Sequence, residues 1–166
     1  GGSRSGSVAT FAELAGVESL RLQGGFRAYR EWCLAQLDGR WLTNKRPVVL
    51  HGMTGVGKSE LLERLTGNEF ATLDLEGLAN HRGSVFGEIG LGLPHSQKQF
   101  DALLAHALIK HREASSIIIE AESKRIGRSV LPDSFLAWKD NGLHIILEAP
   151  LEYRVERIYQ DYVQPY

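Results

Sequence analysis

The alternation of apolar and polar positions along the chain predicts an α/β fold. Short apolar runs at residues 47–51, 70–75, 117–120 and 143–147 are typical of buried strands. Between and after these runs, apolar residues recur at helical spacing, most clearly from Phe100 to Leu108. Strands that alternate with helices imply a parallel sheet covered on both faces, with ligands bound beyond the carboxyl ends of its strands.

The segment before the first of these strands has a weaker pattern. Residues 8–14 and 26–37 predict helices, and residues 17–22 predict a short strand between them. Residues 38–46 are polar and irregular, which is typical of a linker. We therefore expect two parts: a small one over residues 1–45, including the linker, and a main domain over residues 46–166.

Two further signals concern the middle of the chain. Residues 76–93 are polar and rich in glycine, and their length predicts a functional loop. Ser96 and Gln99 then form a capping box that marks the start of a helix.

A phosphate-binding motif lies between the first main strand and the helix after it. Residues 52–59 match the pattern G-x-x-x-x-G-K-[ST] in the strand–loop–helix context that the motif requires. Its glycines allow the backbone N–H groups to converge on phosphate oxygens, and Ser59 can place its hydroxyl on magnesium. The predicted ligand is a diphosphate with magnesium, and the predicted phosphate-binding residues are Gly52, Thr54, Gly55, Val56, Gly57, Lys58 and Ser59.

Carboxylates follow the ends of two other predicted strands. Asp74 and Glu76 come after one, and Glu120 and Glu122 come after the other. An acid at the end of such a strand is well placed to hold magnesium, although Glu120 is also explained as a solvated strand terminus. We predict Ser59 and Glu120 as magnesium ligands, and the candidate catalytic residues are Lys58, Asp74 and Glu120.

Two arginines lie three positions apart on the helix predicted after Pro150. Arg154 and Arg157 are either residues that close over a phosphate or part of a solvated helix face. Both interpretations stay open at this point.

Composition narrows the function classes. Nineteen basic and twenty acidic residues give a net charge of −1, so any contact with nucleic acid has to be local. A single cysteine, Cys33, excludes an internal disulfide framework. With no signal-peptide pattern and no long apolar stretch, we expect a cytoplasmic protein without a membrane partner.

Residues 73–84 resemble the signature of the bacterial tRNA 2-selenouridine synthases. The string Leu-Asp-Leu-Glu-Gly-Leu-Ala-Asn-His-Arg-Gly-Ser is long and unusual, and the phosphate-binding motif lies upstream of it, as in that family. Residues 52–62, 94–97 and 120–127 are also similar to family segments, although residues 94–97 carry one inserted residue.

The resemblance implies a domain order of rhodanese-like domain followed by P-loop domain. Residues 1–37 look like the end of the former, and its anion-cradling loop would be represented by Gly1, Gly2, Arg4 and Ser5. The family's catalytic cysteine would lie just before Gly1, and Cys33 cannot replace it because it falls on a later predicted helix. We therefore expect a fragment, also cut at its C-terminus, that is inactive in selenium transfer by itself.

The resemblance also implies an activity. The family consists of transferases that replace the sulfur of 2-thiouridine at the tRNA wobble position with selenium through a geranylated intermediate. Selenophosphate is the donor, so a selenophosphate-producing enzyme is an implied partner, and the P-loop would hold ATP or geranyl diphosphate. Contacts to tRNA would come from Glu76, Asn80, His81, Arg82 and Ser84.

Two other functions are compatible with the same motifs. A small-molecule or nucleotide kinase would share the P-loop and the parallel sheet, but it leaves residues 73–84 unexplained. A non-catalytic fragment that keeps only the phosphate-binding fold is the second alternative.

Overall fold

A computed structural model describes residues 3–81 and 92–162 of the chain. Its helices are α1 (Ser3–Leu14), α2 (Gly25–Gln36), α3 (Lys58–Gly67), α4 (Leu75–Ala79), α5 (Gln97–Lys110), α6 (Asp133–Asp140) and α7 (Leu151–Tyr162), with a 3-10 helix at Arg40–Asn44. Its strands are β1 (Arg46–His51), β2 (Thr72–Leu73), β3 (Ser116–Glu120), β4 (Arg125–Ile126), β5 (Ser129–Val130) and β6 (Leu143–Ile146). None of these helices is both long and apolar enough to cross a lipid bilayer.

Four of the strands form one parallel sheet in the order β2-β3-β1-β6. The predicted parallel α/β fold is therefore confirmed. β1 is central, and its Leu50 is in register with Glu120 of β3. We expected both faces of the sheet to be covered, but at one edge they are not, because all four residues of β6 are exposed. β4 and β5 form a separate antiparallel hairpin.

Helix α5 supplies much of the core. Phe100, Leu104 and Leu108 are fully buried and join Ile117 and Ile119 of β3 in one apolar cluster. Burial of a large apolar side chain contributes about 1.5 to 3 kcal/mol, so this helical stripe stabilises the sheet strongly. The predicted start of the helix is also correct, since the Ser96 side chain caps α5 by accepting from the Gln99 N–H.

The segment that we expected to be a linker packs into the same core. Within it, Leu42 of the 3-10 helix is fully buried and joins the core cluster, as does Cys33 of the preceding helix α2. Trp138 of α6 donates its indole N–H to the Lys45 carbonyl at 3.0 Å. We predicted a linker because residues 38–46 are mostly polar, but the one leucine among them, Leu42, is enough to pack the 3-10 helix against the core.

The strand predicted at residues 17–22 is absent. These residues have no regular structure, and Leu20 is 95% exposed. The prediction was wrong because a strand needs a neighbouring strand to pair with, and none lies beside this segment in the described part of the chain. Arg4 and Ser5, expected in a loop, lie in the first turns of α1, while Gly1 and Gly2 fall outside the described residues.

The region after the P-loop unit also differs in detail. The strand predicted at residues 70–75 shortens to two residues, Thr72–Leu73. The loop predicted from residue 76 contains the short helix α4, whose N-terminus is capped by Asp74. Arg82 and Ser84 lie outside the described residues, so their predicted tRNA contacts stay predictions.

Candidate functional site

The P-loop joins β1 to α3 by a sharp glycine turn. Gly52, Gly55 and Gly57 have φ values of 153°, 79° and 94°, which other residues rarely adopt. Gly57 is the N-cap of α3, so the loop ends on a helix N-terminus with free N–H groups. The Lys58 ammonium group donates to the Gly52 carbonyl at 2.8 Å and so stays close to the loop. This geometry is that of an anion-binding cradle.

Ser59 and Glu120 connect the loop to the neighbouring strand. The Ser59 hydroxyl donates to Oε1 of Glu120 at 3.0 Å. The Glu120 side chain is fully buried, and its Oε2 atom has no hydrogen-bond partner in the described part of the protein. A buried carboxylate oxygen without a partner is costly, so this atom is explained best by a ligand at the site.

Two further carboxylates converge on the same point. Glu76, Glu120 and Glu122 each offer an oxygen atom, and these atoms all lie within 4.8 Å of one another. A tight turn after β3 places Glu122 there, since its backbone N–H donates to the Glu120 carbonyl at 2.9 Å. The ammonium group of Lys139, on α6, donates to the Glu122 carbonyl and supports that turn.

The pKa values of these acids reflect their crowding. Burial raises the pKa of Glu120 to about 8, helped by the negative charges of Glu76 and Asp74 and opposed by the hydrogen bond from Ser59. Burial, and then the charge of Glu76, also raises the pKa of Glu122. Both shifts follow mainly from bringing carboxylates together away from water, and the charges of Lys58 and Lys139 offset only part of the rise at Glu122.

The donor set fits a magnesium ion. Magnesium prefers carboxylate and hydroxyl oxygens, and Glu76, Glu120, Glu122 and Ser59 supply such atoms beside the phosphate cradle. The partnerless Oε2 of Glu120 points to the same conclusion. Ser59 and Glu120 were predicted as ligands from sequence, and Glu76 and Glu122 were among the strand-end acids considered there. The fold brings these two together with Glu120 and leaves Asp74 out of the cluster.

A large open cleft surrounds these groups. Among the described residues it holds about 1510 Å³, more than the 300–1,000 Å³ of an ordinary small-molecule site. Its lining includes Gly52, Thr54, Gly55, Val56, Gly57, Lys58, Ser59, Asp74, Glu76 and Glu122.

Two predicted tRNA-contacting residues lie away from the lining of this cleft. Asn80 ends α4 in a left-handed conformation with φ of 49°, and its side chain donates to the Leu93 carbonyl at 2.9 Å. Its visible role is to join the two ends of the loop. The His81 ring packs against Gly127, and its Nδ1 is buried without a partner among the described residues.

Helix α7 lies directly on the P-loop. Arg154 Nε donates to the Thr54 carbonyl at 3.0 Å, and Arg157 Nη2 pairs with Glu60 Oε2 at 2.7 Å. A methyl group added to Gly55 would come within 2.5 Å of the Arg154 carbonyl. Both arginines line the cleft, so they belong to the site and not to a solvated helix face.

Sequence reasoning missed several contributors for one reason. Lys139 and Glu60 act on Glu122 and Arg157, respectively, across long separations in the chain, and no local spacing announces such pairs. Of the acids in these two pairs, Glu122 could be found from sequence, because it follows the end of a predicted strand.

Comparison with known proteins identifies the family. Residues 45–166 match the model of the "tRNA 2-selenouridine synthase AAA domain". Proteins called tRNA 2-selenouridine synthase from Pseudomonas syringae pv. tomato, Shewanella woodyi and Shewanella piezotolerans are 41%, 39% and 36% identical over 98% of this chain. The chain spans 43%, 43% and 44% of the length of these relatives. With a family match over most of its length and a P-loop, acid cluster and parallel sheet in place, the chain belongs to the tRNA 2-selenouridine synthase AAA domain family.

Proposed function

We propose that the chain is the P-loop part of a tRNA 2-selenouridine synthase, a transferase that replaces sulfur with selenium in wobble 2-thiouridine of tRNA. Family membership supports this proposal. The relatives of that name also support it, because the similarity to each of them covers 98% of this chain. Because its substrate would be tRNA, we place the reaction in the cytoplasm.

Within this activity the chain would bind a diphosphate. The backbone N–H groups of the loop and Lys58 would hold the phosphates, while Ser59, Glu120, Glu122 and Glu76 would hold magnesium between them. When bound, magnesium neutralises charge on the diphosphate and so makes it a better leaving group.

The diphosphate belongs either to ATP or to geranyl diphosphate. With geranyl diphosphate, the sulfur of thiouridine would form the new bond to the geranyl carbon while the carbon–oxygen bond to diphosphate breaks. The P-loop would then hold the departing diphosphate and orient the carbon toward sulfur. In a later step the selenium of selenophosphate, supplied by a partner enzyme, would bond to C2 of the base while the bond from C2 to the geranylated sulfur breaks. Geranyl thiol would leave, and water would then remove the phosphoryl group from selenium.

The wall facing the tRNA base would be built from residues 74–84. Glu76 lies in the cleft already, and Asn80, His81, Arg82 and Ser84 follow it in the chain. Residues 1–45 would belong to a rhodanese-like domain, with Arg4 and Ser5 at the start of α1. In that arrangement residues 46–166 would supply the diphosphate chemistry.

The Ser59–Glu120 contact beside the loop is the observation that carries the proposed diphosphate binding, because it would put a magnesium ion next to the phosphates. The test is calorimetric titration of the chain with geranyl diphosphate and with ATP, each with magnesium. We expect Lys58→Ala to weaken binding by about 1.5 to 3 kcal/mol, the scale of a charged hydrogen bond. Equal affinities for wild type and Lys58→Ala would refute the P-loop assignment.

A kinase would give a different result. Transfer of phosphate from ATP to a panel of small hydroxyl acceptors, with no binding of geranyl diphosphate, would favour the kinase function. Binding of geranyl diphosphate without such transfer is the outcome that we expect.

A further inference from the structure

Helix α7 brings a second cation to the phosphate cradle. Arg157 Nη1 lies so close to Gly57 that a methyl group on this glycine would overlap the guanidinium. Gly57 directly precedes Lys58 at the N-terminus of α3. The guanidinium is therefore at the point of the loop where phosphate oxygens and free N–H groups are expected to meet.

Arg157 is held at this point by a carboxylate that has another partner. Glu60 uses Oε2 to pair with Arg157 and Oε1 to pair with Arg64, each at 2.7 Å. Glu60 is in the first turn of α3 and 44% exposed, whereas Arg157 is 31% exposed. A partly exposed ion pair of this kind is weak, so a more highly charged anion competes for the arginine readily.

A diphosphate is such an anion. Its oxygens carry more charge than one carboxylate, and a guanidinium can contact two of them at once through its planar fork. If Arg157 moved from Glu60 to the ligand, Glu60 would keep Arg64 as a partner, so its carboxylate would not lose every ion pair.

We propose that Arg157 is a phosphate-binding residue of this site, and that it transfers from Glu60 to the ligand when a diphosphate enters the P-loop. This inference rests on the proposed diphosphate-binding function and adds a specific cation to it. It also gives Glu60 a role, as a competitor that lowers affinity for weakly charged anions.

The experiment uses the 166-residue chain and inorganic pyrophosphate with magnesium, measured by calorimetry. Arg157→Gln should weaken binding by about tenfold or more, since it removes a charged hydrogen bond. Arg27→Gln is the matched control, because Arg27 belongs to an exposed ion pair with Glu31 on α2, outside the cleft lining, and its loss should change affinity less than about twofold. Glu60→Gln should tighten binding by releasing Arg157.

A double-mutant cycle separates release of Arg157 from a general loss of negative charge. In the Arg157→Gln background, Glu60→Gln should tighten binding much less than in wild type. Tightening of equal size in both backgrounds would overturn the exchange. Thermal unfolding checks that each variant folds, and Arg157→Lys, which keeps the charge but not the fork, should retain only part of the affinity.

The two proposals fail in different ways. If Lys58→Ala weakens binding but Arg157→Gln binds like wild type, this inference is wrong and the P-loop assignment stands. If Lys58→Ala also binds like wild type, both are wrong.

Discussion

Glu120 is a carboxylic acid that the fold buries away from water. Its carboxyl is fully buried, and only one of its two oxygens is hydrogen-bonded among the described residues. Its pKa is raised to about 8, so folding favours the protonated form near neutral pH. A side chain that costs stability in this way is explained by the ligand that it holds.

The first prediction concerns the stability contributed by this carboxyl. The folded-state pKa of about 8 exceeds the unfolded value of 4.5, so the stability from bound protons is complete below pH 4.5 and is lost as the pH rises toward 8. Glu120→Gln should therefore raise the free energy of unfolding at pH 8 without magnesium by about 1 to 3 kcal/mol, and change it little at pH 4.5. Urea unfolding at both pH values measures this effect, and destabilisation at pH 8 would contradict it.

The second prediction concerns magnesium. A metal ion must displace the proton of Glu120, so magnesium affinity should rise as the pH approaches 8. Between pH 6.5 and pH 8.5 we expect an increase of about twentyfold, on the basis of one proton released per ion from a group with a pKa of about 8. Calorimetry with magnesium alone measures it, because pyrophosphate itself titrates in this range, and Glu120→Gln should remove most of the pH dependence. A pH-independent affinity in the wild type would show that Glu120 is not a ligand.

At the level of elements, the strand–loop–helix unit was predictable because its signals are local. The apolar run of β1 and the glycines of the loop are each visible within a short window of sequence, and so is the separate apolar stripe of α5. Helix α4 was missed because five residues are too few for a helical period, and its start depends on Asp74 accepting from Gly77. The three acids of the cluster were among the four candidates named from sequence, but the sequence could not show which of the four converge, because Glu76 meets Glu120 and Glu122 only in the folded chain.

The third prediction tests the contact between the β4–β5 hairpin and the end of α4. Gly127 has φ of 55°, and a methyl group there would lie 2.6 Å from the His81 ring. Gly127→Ala should lower the free energy of unfolding by about 1 to 3 kcal/mol through backbone strain and this overlap. Thermal unfolding gives the value.

The control for this contact is the double variant. His81→Ala removes the ring, so Gly127→Ala should cost less in that background, with only the backbone strain remaining. An equal cost in both backgrounds would mean that the two residues do not press on each other.

At the level of the whole molecule, the described residues share one core that crosses the predicted boundary at residue 45. Cys33, Leu37 and Leu42 lie before that boundary and are buried with α5 and β3. The polar character of residues 38–46 concealed this packing, since burial here depends on partners that are far away in the sequence. The proposed assignment of residues 1–45 to a second domain therefore has to allow for α2 packing on α5.

The fourth prediction measures how strongly that segment is fixed. Leu42→Ala should lower the free energy of unfolding by about 2 to 5 kcal/mol, the usual cost of truncating a buried leucine. Leu20→Ala is the matched control, because Leu20 is 95% exposed and its loss should cost less than about 0.5 kcal/mol. Denaturant unfolding compares the two, and equal stabilities would show that the 3-10 helix contributes nothing to the core.

The register of the two central strands has a consequence for how this site tolerates change. Leu50 of β1 faces Glu120 of β3, and the P-loop begins two residues after Leu50. Backbone pairing thus fixes the distance between the acid and the cradle. An extra residue inserted before Ile119 would advance β3 by one step and put isoleucine where the carboxylate stands. Along this edge of the sheet, we expect length changes to be tolerated less than substitutions.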